Sequence, residues 1–203
     1  MSAQPVEVRG PGRPRSAAAH LAILEATLEL FVEEGFNGMT IEGVAARAGV
    51  SKATIYRRWP SKEELVSEAV GTISEEIYAP DTGNVRDDLV RFVEQFAQLL
   101  ASPESHRVFA RMASEMTFSP QLGAIYKRNV MQPRRRLAVA VVERAKERGQ
   151  LPEALDADLL IDMVVGALIM RALARDADRY PPGFAERLVD LALSLTGAQT
   201  GTR

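Results

Sequence analysis

From Leu21 to Leu195 the apolar residues of this 203-residue chain return every third or fourth position, and no stretch alternates them convincingly every second. That rhythm puts one apolar stripe on each of a succession of helices and argues against a sheet. Leu21, Leu24, Leu28 and Phe31 predict a first helix, which Gly35 stops. Thr40 is placed to cap a second, with Ile41, Val44, Ala45 and Ala48 facing inward and Gly49 ending it. Ser51 caps a third. Ser61 caps a fourth running to about Ile77, and Glu64 three residues on completes a capping box. APDTGN (79–84) reads as a loop. Val85, Leu89, Phe92, Phe96 and Leu99 form the next stripe, and Val108, Phe109, Met112 and Met116 another. Residues 120–149 read as one long helix or two, with Pro133 kinking or splitting it and Gly149 closing it. The segment 156–174 is apolar almost all round and needs neighbours on several sides. Phe184, Leu188, Leu191 and Leu195 mark the last helix. The expected fold class is all-α, with about nine helices.

Composition removes several function classes. With no cysteine there is neither a disulfide framework nor a thiolate metal site. The two histidines, His20 and His106, lie far apart in sequence. No phosphate-cradling glycine loop, metal-spaced ligand set or nucleophile elbow occurs, so the chain is not expected to be an enzyme or to need a cofactor or metal. The opening MSAQPVEVRGPGRPR lacks a signal-peptide core, and the apolar run Leu159–Met170 is broken by Asp162 and ended by Arg171. A cytoplasmic protein without a membrane partner is the expectation. Net charge is only −2, yet residues 1–62 carry eight Lys and Arg against six Asp and Glu, and Lys52, Arg57, Arg58 and Lys62 form a patch with no acid among them.

The patch sits on an unusual helix. Two short helices joined across Gly49-Val50 fit a helix-turn-helix. Ile55 and Trp59, one turn apart, would bury the third helix together with Val50. Ala53, Thr54, Tyr56 and Arg57 then face outward, with Lys52 at the exposed N-terminal end. Recognition helices read base edges mainly through their N-terminal residues. Small Ala53 and Thr54 permit close approach, Arg57 could reach guanine or phosphate, and Tyr56 offers a hydroxyl to phosphate. Lys62, in the first turn of the fourth helix, would strengthen an anion site there. A solvated amphipathic helix and a solvated Lys62 fit the same pattern.

The stretch TIEGVAARAGVSKATIYRRWPSKEEL (40–65) resembles the DNA-binding signature of the TetR/AcrR family of bacterial transcriptional regulators. The preceding ILEATLELFVEEGFNGMT is similar to that family's first helix and its exit. The resemblance implies that Thr40, Lys52, Ala53, Thr54, Tyr56, Arg57 and Lys62 meet double-stranded DNA. Glu42 departs from the pattern, because some members carry a base-reading arginine there. RAKERGQL and the apolar helix after it are more loosely similar to one variety of the family's C-terminal domain.

Three regions are then expected: a disordered basic arm (1–15), a helix-turn-helix domain (16–65) and a regulatory body (66–203). In the arm, Arg13-Pro14-Arg15 is similar to the core of minor-groove peptides, so Arg13 and Arg15 are candidate DNA contacts beside the plainer reading of a charged terminus. Bulky apolar residues of the body either pack a core or line an effector pocket, which the resemblance implies: Phe92, Phe96, Phe109, Met112, Met116, Tyr126, Met163 and Met170, with Phe118 nearby. Arg111 and Glu115 either hold a polar ligand head or pair on the surface. Leu159, Met163, Gly166 and Met170, with Phe184, Leu188, Leu191 and Leu195, either complete the monomer's core or build a four-helix homodimer interface, the arrangement the family uses. A single reader covers too few base pairs for selectivity, and a two-fold dimer on a palindromic operator supplies the rest. The function expected is a ligand-responsive DNA-binding regulator, a repressor released by a small, partly apolar effector. The alternative is a helical small-molecule carrier or scaffold with a vestigial reader.

Overall fold

Three of the hydroxyls named above close helices in the computed structural model of the chain, which describes residues 13–73, 77–174 and 178–196. Thr40 accepts from the Gly43 amide and starts α2 (Ile41–Arg47); Ser51 accepts from Thr54 and starts α3 (Lys52–Tyr56). Ser61 accepts from Glu64 and starts α4 (Lys62–Thr72). Each bond satisfies an amide that the first helical turn leaves without a partner. Before them runs α1 (Arg13–Gly38). It already contains Arg13 and Arg15, so the last residues of the expected arm are helical; their side chains, and residues 1–12, lie outside the described residues. Leu21 is exposed, and the buried stripe of α1 is Ile23, Leu24, Thr27, Leu30 and Phe31.

The body follows as α5 (Val85–Ala101), α6 (Pro103–Phe118), α7 (Pro120–Tyr126), α8 (Gln132–Glu147), α9 (Ala157–Ala174) and α10 (Phe184–Ser194). Every regular element among the described residues is helical. Between α7 and α8 the chain makes one π-helical turn, Lys127–Met131, in which the Gln132 amide reaches back five residues to the Lys127 carbonyl. Pro133 explains it. Proline has no amide to give the fourth carbonyl back, and its ring crowds that carbonyl, so the turn widens. The helices therefore continue as one rod, and counting it once leaves nine helices among the described residues, as expected.

Burial separates two apolar clusters. One joins α1–α4 to Val108 and Met112 of α6, to Leu122 and Tyr126 of α7, and to Val130 in the π turn. The other gathers α5, α8, α9 and α10 around Phe92, Val141, Ile161 and Leu168. The boundary expected at residue 65 falls inside α4, whose buried face runs from Leu65 to Val70 within the first cluster. Phe184 is 8% exposed and belongs to the second cluster. It completes the core of one chain and is withdrawn from the expected dimer surface.

Candidate nucleic-acid interface and effector cavity

Gly49, at φ 64°, makes the left-handed turn between α2 and α3 that a side chain would disfavour. Ile55 and Trp59 then anchor α3: both are buried, and the Trp59 indole stacks on His20 at 5.3 Å and donates to Glu68 at 2.7 Å. This rotation leaves Lys52, Ala53, Tyr56 and Arg57 exposed and Thr54 half-buried, on the five-residue α3 and its C-terminal cap. Tyr56 is 55% exposed, which is uncommon for a tyrosine without a partner surface. Thr40 lies exposed at the start of α2.

Two of the cations expected at DNA have partners within the chain itself. Lys52 is engaged by Glu42 at 2.7 Å, and that hydrogen bond holds the carboxyl below and the ammonium above their ordinary pKa values. Glu42, noted above as a departure, is thus the partner of a candidate DNA contact. Lys62 donates to the carbonyls of Phe36 at 2.6 Å and Met39 at 3.1 Å, with its ammonium 4.4 Å from the Phe36 ring centroid. The expected phosphate contact is in this geometry a cation closing the exit of α1, where carbonyls lack helical partners.

That exit is gripped from the other side by α6. Gly35 leaves the helical conformation at φ 78° and ψ 174°. A β-carbon there would stand 2.6 Å from Glu115 Oε1. The space is needed because Glu115 accepts from the Phe36 amide at 3.1 Å, and Arg111 donates to the Val32 carbonyl at 3.1 Å. Arg111 and Glu115 also pair with each other at i,i+4, 3.8 Å apart, as one of their two expected roles has it, and neither lines the cavity. They tie α6 to the end of the first reader helix.

On its other side α6 borders a cavity of about 710 Å³, within the range of small-molecule sites. It lies where the two clusters meet: Val70 and Met112 come from the first, Phe92, Phe96 and Ile161 from the second. Phe109, Met116 and Tyr126 also line it, so six of the eight residues expected at a pocket are brought together. Met163 and Met170 are not. They point outward from α9, whose cavity-facing residues are Ile161, Asp162, Val165, Gly166, Ile169 and Leu173. Phe118 is exposed, away from the lining. Sequence reasoning missed the polar part of the wall, which includes Lys127, Gln132, Arg134 and Arg135. Burial lowers the Arg134 pKa from its ordinary value and raises that of Tyr126, while the two side chains hydrogen-bond each other.

The outward faces of α9 and α10 stay apolar. Leu159, Met163 and Met170 on α9, with Leu191 and Leu195 at the end of α10, are each at least 44% exposed. Leu188 is half-buried against the second cluster. Gly166 borders both this face and the cavity, and a β-carbon on it would meet nothing within 4 Å.

Comparison with known proteins agrees with this geometry. The family model for bacterial regulatory proteins of the tetR family matches residues 23–69, and the one for the tetracyclin repressor-like C-terminal domain matches 79–192. The HTH-type transcriptional regulator YdeS of Bacillus subtilis (strain 168) is 34% identical over 163 residues, 80% of this chain and 82% of that protein. The DNA-binding transcriptional repressor TetR of Mycobacteroides abscessus is 30% identical over 187 residues, covering 88% and 92% of the two chains. Among solved structures, the TetR family transcription regulator SCO0332 superposes with a TM-score of 0.69 at 31% identity, over 87% of this chain and 97% of that one. These relatives are named as regulators of transcription and not as enzymes. With the reader, the body and the matches in agreement, the chain belongs to the TetR family of ligand-responsive, DNA-binding transcriptional regulators.

Proposed function

We propose that the protein is a cytoplasmic homodimeric repressor that holds a palindromic operator and is released when a small, partly apolar molecule fills the 710 Å³ cavity. The observation that carries this reading is the double role of α6. Met112 faces the cavity, while Arg111 and Glu115 on the same helix hold the end of α1. A ligand that favours a different seating of α6 also favours a different seating of the reader, and its differential affinity for the two arrangements sets the loss of DNA affinity. The dimer is supported by the outer faces of α9 and α10, where Leu159, Met163, Met170, Leu191 and Leu195 all stand exposed; clustered apolar side chains of this kind mark interaction surfaces. Two readers related by a two-fold axis would meet half-sites about 34–36 Å apart, or a longer stagger. DNA contacts are assigned to Thr40, Ala53, Thr54, Tyr56 and Arg57, with Lys52 contributing once it exchanges Glu42 for phosphate. No helix among the described residues is long and apolar enough to cross a membrane.

Selection from a random duplex pool tests the reading. The protein is expected to enrich an inverted repeat and bind it below micromolar Kd; Arg57→Ala and Tyr56→Ala should each remove the preference. Met170→Lys, on the outer face of α9, should convert a sedimenting dimer to monomer and weaken operator binding. Weak, sequence-blind binding by the native chain would sink the regulator reading in favour of a helical carrier.

A further inference from the structure

The five residues of the π turn divide between two neighbours. Lys127 and Met131 line the cavity. Arg128, Asn129 and Val130 meet α4 instead. Val130 is buried in the first cluster, so close to α4 that a β-carbon on Gly71 would stand 3.6 Å from it. Arg128 Nη2 donates to Glu64 Oε1 at 2.8 Å, and Asn129 Nδ2 donates to Glu64 Oε2 at 3.0 Å. Arg128 Nε also donates to Asn129 Oδ1 at 3.0 Å, so the two donors hold each other in place. One carboxylate is thus gripped at both oxygens, and neither donor leaves without breaking two bonds.

Glu64 stands where such a grip acts most directly on the reader. It is the third residue of α4, and its amide is the one that Ser61 caps. Trp59, which anchors α3, lies five residues before it. One turn further along α4, Glu68 accepts from the Trp59 indole at 2.7 Å and pairs with His20 of α1 at 3.3 Å. Neighbouring turns of α4 therefore carry two acids with different attachments, Glu68 to the reader and Glu64 to the π turn. Arg128 is 61% exposed, and ion pairs so exposed add little to folding stability. What the grip fixes is orientation. The two readers of a dimer must meet two half-sites at once, so angular scatter in either one weakens operator binding. Contacts to random duplex, dominated by phosphate, tolerate that scatter.

We propose that Glu64 is a positioning residue for operator reading, through which the π turn sets the angle at which α3 is presented. The inference rests on α3 reading an inverted repeat as one half of a dimer. It makes the π turn a second link between cavity wall and reader, one that involves neither Arg111 nor Glu115.

Fluorescence anisotropy of the full chain on the selected operator and on a random duplex tests this. Arg128→Ala with Asn129→Ala releases Glu64 by changing only exposed residues, so folding is not at stake. Operator affinity is expected to fall about 3- to 10-fold, the range that an exposed ion pair and one further hydrogen bond supply. Random-duplex affinity and the salt slope should stay unchanged. Glu64→Gln should act in the same direction and add little in the triple variant, because both changes cut one clasp. Arg128→Lys, which keeps a cation beside the carboxylate, should remain near the native affinity. Trp59 is the only tryptophan of the chain and reports the seat of α3 on α4 through its bond to Glu68; its emission should not move. Unchanged operator affinity in the double variant overturns the inference, as do additive losses in the triple variant. A shifted Trp59 emission overturns it too, because the clasp would then belong to the reader's own fold. So does a salt slope lower by about 0.9 per protomer, which would put Arg128 on phosphate. A native chain that selects no operator ends the dimeric-repressor reading and the inference with it, whereas failure of the inference alone shows only in the variants.

Discussion

Replacing Lys62 by methionine separates two roles for one cation. Methionine keeps an unbranched stem across Phe36 and deletes the ammonium. Lost with it are two hydrogen bonds, to the carbonyls of Phe36 and Met39, and the contact over the Phe36 ring. A hydrogen bond to a charged group contributes about 1.5–3 kcal/mol and an exposed cation–π contact about 0.5–1 kcal/mol. Lys62 is only half-buried, so water can reach the abandoned carbonyls and the net loss is about 1–3 kcal/mol. In a chain of this length that lowers Tm by roughly 2–12 °C, at about 2–4 °C per kcal/mol. Circular dichroism at 222 nm measures the melt, and fluorescence anisotropy at several salt concentrations measures operator affinity. The exit-closing role predicts a lower Tm with an unchanged slope of log affinity against log salt. If Lys62 instead neutralises a phosphate, Tm stays where it is and the slope falls by about 0.9 per bound protomer. That second result would refute the assignment made from the carbonyl contacts.

Three further outcomes follow from the same contacts. Gly35→Ala puts a side chain into a backbone conformation that glycine adopts almost alone and displaces Glu115 from the Phe36 amide; urea unfolding should show a loss of about 2–5 kcal/mol, whereas Gly71→Ala, whose new β-carbon would touch Val130 at an ordinary 3.6 Å, should be neutral or stabilising. Glu42→Gln releases Lys52 and should tighten operator binding while steepening its salt slope by about 0.9 per protomer; unchanged affinity and slope would mean that Lys52 does not meet phosphate. Arg86 grips Asp190 with two hydrogen bonds, at 2.6 and 3.0 Å, and holds that carboxyl below its ordinary 3.8. A depressed carboxyl stabilises the fold above its unfolded pKa and loses that contribution as pH falls through the folded value, so the part of acid destabilisation below about pH 4 that Arg86→Gln removes should be small, under about 1 kcal/mol for so exposed a pair.

Which features were legible in the sequence depended on how far apart their causes lie along the chain. The caps at Thr40, Ser51 and Ser61 each involve an amide three residues away, and the sequence alone identified them. Ile55 and Trp59 were legible for the same reason: a four-residue spacing beside a glycine turn leaves one way to bury α3. The apolar helix α9 was the opposite case. Nearly every position on it is apolar, so periodicity carried no direction, and Met163 and Met170 were expected at the cavity although they face away from it. Phe184 shares its spacing with Leu188, Leu191 and Leu195, and only the packed structure distinguishes a core face from an outer one. The bonds of Lys62 and Glu115 to the exit of α1 span 26 and 79 residues, beyond any local pattern. Arg134 was hidden by the π turn, which brings it onto the face of Tyr126, where plain helical periodicity would not place it.

That single widened turn also bears on how such a protein can change over evolutionary time. Replacing Pro133 so that 127–131 return to plain α-helical winding, with no residue removed, would rotate everything after it by about 100° relative to α7. Arg134 would leave the chamber and a neighbour would take its place, with no substitution in any lining residue. The chemistry admitted there is thus adjustable by helical phase as well as by side-chain identity. An alignment that scores residues column by column without locating this turn would pair the wrong positions across α8.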